Sequence, residues 1–154
     1  GLFDYLVDRL VRSDDATIRN RILAALGHAE DPVLSARALD LALDPRLRMN
    51  EVTIVLGPQF RSPRTRRRAW QWLTDRFDAL QSRLGASQVG YAPWFAASFC
   101  SDEAAAEVGH FFEARVRDLP GGPRNLASTL ESIRLCAAKV ENYRASVEQT
   151  FARR

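Results

Sequence analysis

Glu107 and His110 stand three positions apart in SDEAAAEVGHFFEA, a spacing that puts a carboxylate and an imidazole on one face of a helix. One half of a di-iron bundle site uses that Glu-x-x-His pattern, but the centre needs a second pair and the chain has none. His28, the only other histidine, follows Gly27 and reads as an exposed turn residue or a helix C-terminal cap. A serine or cysteine nucleophile needs a histidine base within reach. Cys100 and His110 lie ten residues apart across a helix start, too far along one helix to meet. No His-Glu-x-x-His, paired-cysteine motif or phosphate-cradling glycine loop occurs, and PGGP at 120–123 reads as a turn. The residues offer no catalytic centre and no metal-ligating set.

The densest chemistry is RSPRTRRRAWQWL, residues 61–73, with Arg61, Arg64, Arg66, Arg67 and Arg68 ahead of Trp70 and Trp72. Cations at a helix N-terminus oppose the macrodipole, at a cost of a few tenths of a kcal/mol each when exposed. On a helical wheel Arg66 and Arg67 flank the Trp70 stripe while Arg68 points to the far side, so the cluster is not one basic face. The plainest reading is a solvated helix start whose arginine stems cover the tryptophans. A second is a local site for a carboxylate or other small anion, formed by guanidinium forks with free N–H groups. A nucleic-acid groove ranks last, because it wants basic residues recurring elsewhere with exposed aromatics, and they do not recur.

The bulk composition points the same way. The chain has 154 residues, a formal charge of +3, and 22 basic residues against 19 acidic ones. Only Lys139 is lysine, so arginine is simply the default cation here. No apolar run approaches the roughly 18 residues that span a bilayer, and the start lacks a signal-peptide pattern. These features suggest a cytoplasmic protein without membrane or nucleic-acid partners. Cys100 and Cys136, isolated from each other and from histidine, read as small buried apolar residues rather than a disulfide.

Helical periodicity runs from end to end, and the predicted class is all-α. Gly1–Val11 carries Leu2, Leu6 and Leu10 with no capping residue before it, like a chain begun inside a structure. Ser13, Asp14 or Asp15 caps a helix that stops at Gly27. Asp31-Pro32 starts another, stopped at Asp44-Pro45. EVTIVL, 51–56, is β-branched but has no pairing strand, and is expected as a short helix behind Asn50. Pro63 opens a long helix with Trp70, Leu73, Phe77, Leu80 and Leu84 inward. Residues 86–99 follow, kinked or split at Pro93. Ser101 caps a helix expected to bury Val108, Phe111, Phe112, Arg115 and Leu119. After PGGPRN, a helix of nearly thirty residues lines up Leu126, Leu130, Ile133, Ala137, Val140, Val147 and Phe151. Short links between such helices predict stacked antiparallel pairs, an irregular α-solenoid of HEAT or armadillo type.

In order and spacing, several stretches resemble the C-terminal helical domain of the aminopeptidase N family of zinc peptidases. RILAALGHAEDPVLSARALDLALDPRLRMNEV resembles the family's helix pair, with Arg48, Asn50 and Glu51 at its closing basic-Gln-Asp element. RSPRTRRRAWQWLTDRFDAL is similar to N-P-x-G-R-x-x-A-W: Pro63, Arg66, Ala69 and Trp70 match, while Ser62 and Thr65 depart. SDEAAAEVGHFFEA resembles the S-x5-E-V-x-x-F-F helix. LESIRLCAAKVENYRASVEQTF resembles the closing helix, with Lys139 in place of a tryptophan. The likeness runs from Ile18 to Phe151. It implies that residues 1–154 form a single helical domain, the C-terminal half of a larger one, without catalysis of its own. It also implies zinc in an upstream catalytic domain of the same polypeptide, and a lid that restricts peptide entry. By resemblance, Arg66 first, then Arg64 and Arg67, are placed to meet a peptide's C-terminus. The alternative is a free-standing helical scaffold for a protein or acidic partner.

Overall fold

The computed structural model describes residues 1–152, with only the backbone of 145, 146 and 152. It is all-helical, and no strand occurs among the described residues. The helices are α1 (Leu2–Arg12), α2 (Ala16–Gly27), α3 (Pro32–Asp40), α4 (Val52–Arg61), α5 (Arg66–Arg83), α6 (Ala86–Gly90), α7 (Asp102–Val116) and α8 (Gly122–Ala152). Single 3-10 segments cover Leu41–Leu43, Met49–Glu51 and Ala92–Ser98. The chain divides into two compact units, Gly1–Leu84 and Gly85–Arg154.

In the first unit the cap signals act as the sequence suggests. The Asp15 carboxylate accepts from the N–H groups of Thr17 (2.8 Å) and Ile18 (3.1 Å). Asp31 does the same for Val33 and Leu34, both at 3.0 Å, with Pro32 in the first turn. Each such cap is worth about 1 kcal/mol. Leu23, Leu26, Leu39, Val55, Leu56 and Trp70 are fully buried, each large side chain adding roughly 1.5–3 kcal/mol. At Gly27 a Cβ would lie 2.6 Å from the Val55 carbonyl oxygen, so only glycine lets α2 approach α4 this closely.

α4 runs five residues beyond the expected end at Leu56, straight through Gly57-Pro58. Val52, Val55, Leu56, Gln59 and Phe60 are all buried, so tertiary packing overrides the local stop signal. α5 begins at Arg66 rather than Pro63, because residues 62–65 form a turn first.

In the second unit α6 and the Ala92–Ser98 segment are separate pieces, split ahead of Pro93. Ser101 caps α7 by accepting from Ala104 N–H at 3.1 Å. The buried face of α7 is Ala104, Ala105, Val108, Phe112 and Val116. Phe111 is half-buried and Arg115 is exposed, its guanidinium 4.0 Å over the Phe111 ring. Gly121, at φ +72°, turns the chain into α8, and Asn125 ties this turn back by donating to the Gly90 carbonyl at 2.9 Å.

One further expectation fails. Cys100 and Cys136 form a disulfide across a sequence separation of 36. The residues between them fold into the α7–α8 hairpin, which returns position 136 to the start of α7. Closing such a loop stabilises by about 4 kcal/mol in the chain-entropy account. The apolar face of α8 is covered over only part of its length. Ile133 is fully buried, yet Val140, Tyr143 and Val147 are 45%, 61% and 51% exposed.

Candidate functional site

The candidate arginines lie where the α4–α5 turn meets the α2–α3 turn. Gln59, buried on α4, donates through Nε2 to the carbonyls of Gly27 (2.7 Å) and Ala29 (2.8 Å). Its Oε1 accepts from the buried Ser35 hydroxyl at 2.7 Å, and that hydroxyl oxygen accepts from Arg68 Nη1 at 3.1 Å. Thr65, also buried, donates to the Gln59 carbonyl at 2.7 Å. The two turns are thus locked together by satisfied buried polar groups, which hold a fixed geometry because leaving any of them unpaired is costly.

On this base stands Glu30. Its Oε1 accepts from the Ser62 hydroxyl at 3.1 Å and its Oε2 from Arg64 Nη1 at 2.9 Å. The hydrogen bonds from Ser62 and Arg64 hold its carboxyl below the usual carboxylate range. Arg64 therefore already carries an anion, at an exposed surface where another carboxylate could compete for it. Arg66 is half-buried and donates to the Arg61 carbonyl at 3.4 Å, while Arg67 is exposed on the first turn of α5. The structure sets Arg64 on Glu30 and Arg66 on the Arg61 carbonyl. Arg68 faces α3 and lines an open groove of about 330 Å3 with Asp40, Gln71, Trp72, Asp75 and Arg76. Trp72 donates to Asp40 there at 2.8 Å, and Trp70 is a core residue, 1% exposed.

Sequence reasoning missed Glu30, Ser35 and Gln59. A signal existed for Gln59 alone, a polar residue one turn beyond Val55 and Leu56 on an apolar helix. It missed a second buried centre as well. Arg19 sits on the apolar stripe of α2 and forks the Glu51 carboxylate.

Glu107 and His110 are both exposed on α7. His28 is exposed and caps α2, with Nδ1 2.7 Å from the Ala24 carbonyl. Among the described residues no group of three or more His, Cys, Asp or Glu could hold a metal ion. No described helix is long and apolar enough to cross a membrane.

The described residues form an all-helical chain in which the buried Gln59–Ser35 and Arg19–Glu51 groups tie helical segments to one another. Residues 2–135 match the ERAP1-like C-terminal domain family, and the chain belongs to it. It is 26% identical over 148 residues to Aminopeptidase M1-D of Oryza sativa subsp. japonica. That alignment covers 95% of this chain and 16% of the rice protein, so the chain spans a small part of its relative's length.

Proposed function

We propose that the chain is the C-terminal, non-catalytic domain of a zinc-dependent aminopeptidase, enclosing the peptide chamber and restricting or orienting peptides. The family match over residues 2–135 carries this reading. In it, residues 1–154 are one helical domain, the C-terminal half of a larger HEAT- or armadillo-like solenoid. The partners are the upstream catalytic domain of the same polypeptide and the peptide itself. Zinc held in that upstream domain would polarise the scissile carbonyl and activate water. The residues described here do not fit that metal, since Glu107 and His110 lack further ligands.

The role left to this chain is recognition. Arg66 is the first candidate to meet a peptide's terminal carboxylate, and Arg64 and Arg67 are the second, because a guanidinium fork matches a carboxylate in shape and charge. For Arg64 this requires exchange of Glu30 for the incoming carboxylate. A cytoplasmic setting fits the sequence, whereas the Cys100–Cys136 bond weighs toward an oxidising compartment.

Reading the open reading frame upstream of Gly1 tests the assignment. A His-Glu-x-x-His with a downstream glutamate supports it, and a start codon immediately before Gly1 overturns it. In the latter case the chain is a free-standing helical scaffold, a reading favoured by the exposed Val140, Tyr143 and Val147.

A further inference from the structure

We propose that the Cys100–Cys136 disulfide is a redox-sensitive clasp on α8, opened by a dithiol reductant. Its position in the fold carries this inference. On α8 one face, at alternating three- and four-residue spacing, carries Leu126, Thr129, Ile133, Cys136, Val140, Tyr143 and Val147. That face is buried at Leu126, Thr129 and Ile133 and bare from Val140 onward. The disulfide sits at that boundary and is the last covalent or buried tie on the helix among the described residues. Cutting it leaves the buried seam of the hairpin in place and frees only the root of the overhang. A bond in the middle of the seam would not have that selectivity.

Access and chemistry agree with this placement. Both cysteines are half-buried, and Cys136 borders an open groove with Lys139, Val140, Tyr143, Arg144, Val147 and Glu148. In thiol–disulfide exchange a reductant thiolate attacks one Sγ, and the Sγ–Sγ electron pair departs on the other cysteine, which then takes up a proton. The second thiol of the reductant, as its thiolate, attacks the mixed disulfide. This releases the first cysteine as a thiolate that is protonated in turn, and the reductant leaves as its own disulfide. The protein gains two electrons and two protons, both supplied by the dithiol.

The test is titration of the full chain with dithiothreitol, following released thiols by alkylation and mass spectrometry, with amide exchange resolved by peptide. We expect two thiols released together without denaturant, with circular dichroism nearly unchanged. Exchange should then rise about fivefold or more across 134–143 and stay flat in α1–α5. The double variant C100S/C136S should exchange fast whether or not reductant is present. If that variant fails to fold, native protein reduced and capped with iodoacetamide supplies the same comparison. Free thiols in protein purified without reductant would overturn the proposal. So would release only after unfolding, or reduction that leaves exchange across 134–143 unchanged.

Discussion

Arg19 and Glu51 meet as a buried fork, Nε to Oε1 at 2.6 Å and Nη2 to Oε2 at 2.8 Å, with 4% and 1% of the two residues exposed. Arg19 also donates to the carbonyls of Leu10 (2.6 Å), Ser13 (3.2 Å) and Arg46 (3.2 Å), and Glu51 Oε2 accepts from Arg48 N–H at 2.7 Å. One charge pair thus fastens the end of α1, the α1–α2 link and the segment leading into α4. Replacing Glu51 with leucine strands a buried guanidinium and is expected to cost about 3–5 kcal/mol in urea unfolding. Adding Arg19→Met should recover only part of that loss, because the three carbonyls lose their donor as well. Full recovery in the double variant would show that the fork contributes nothing beyond the charge pair.

The same fork sets an acid limit. Arg19 hydrogen bonding, aided by the Arg48 N–H, lowers the Glu51 carboxyl below its ordinary range against the opposing effect of burial. A carboxyl lowered in the folded state contributes stability that is complete above its unfolded value of about 4.3 and is lost as pH falls through the lower folded value. Unfolding free energy measured from pH 6 to pH 3 should fall below about pH 4.5, and Glu51→Gln should flatten part of that slope. A slope identical in the two proteins would remove Glu51 from the acid response.

Gln59 carries a comparable structural demand in the candidate site. Gln59→Leu keeps the side-chain bulk but leaves the Gly27 and Ala29 carbonyls without this donor and the Ser35 O–H without its acceptor. Each buried group left unsatisfied costs about 1–3 kcal/mol. The expected loss is about 2–5 kcal/mol by denaturant titration, with Gln59→Glu no rescue, because a carboxylate cannot donate to the two carbonyls.

Helix existence was legible because apolar spacing and caps are local: Asp15, Asp31 and Ser101 act where the sequence puts them. What stayed hidden depends on which distant residues meet. Cys100 and Cys136 are unrelated along the chain until the α7–α8 turn sets their register. Glu30 is an ordinary acid in a turn until α4 and α5 bring Ser62 and Arg64 to it. Periodicity also could not say where a partner ends: Val147 continues the spacing of Ile133, yet one is bare and the other buried. The wheel spread the arginines over several faces but sent Arg68 away from the buried stripe, whereas Arg68 is half-buried and donates to Ser35, a tertiary bond with no local sign.

The last prediction uses Glu30 to separate recognition from packing. If the chain belongs to a peptidase as proposed and Arg64 receives a peptide carboxylate, Glu30 is its competitor, bound to the same guanidinium at 2.9 Å. Glu30→Ala in the full-length enzyme should then lower KM for peptides with a free C-terminus. The pair is exposed and its coupling modest, so the change should be about two- to fivefold. Peptides with an amidated C-terminus should show no such gain, since they bring no carboxylate to the vacated fork. Arg66→Ala should act in the opposite sense, raising KM for the free acid and narrowing its advantage over the amide. Because Arg66 is half-buried, unfolding of each variant is measured alongside, and a KM change that appears equally with amidated peptides would assign both residues to packing alone.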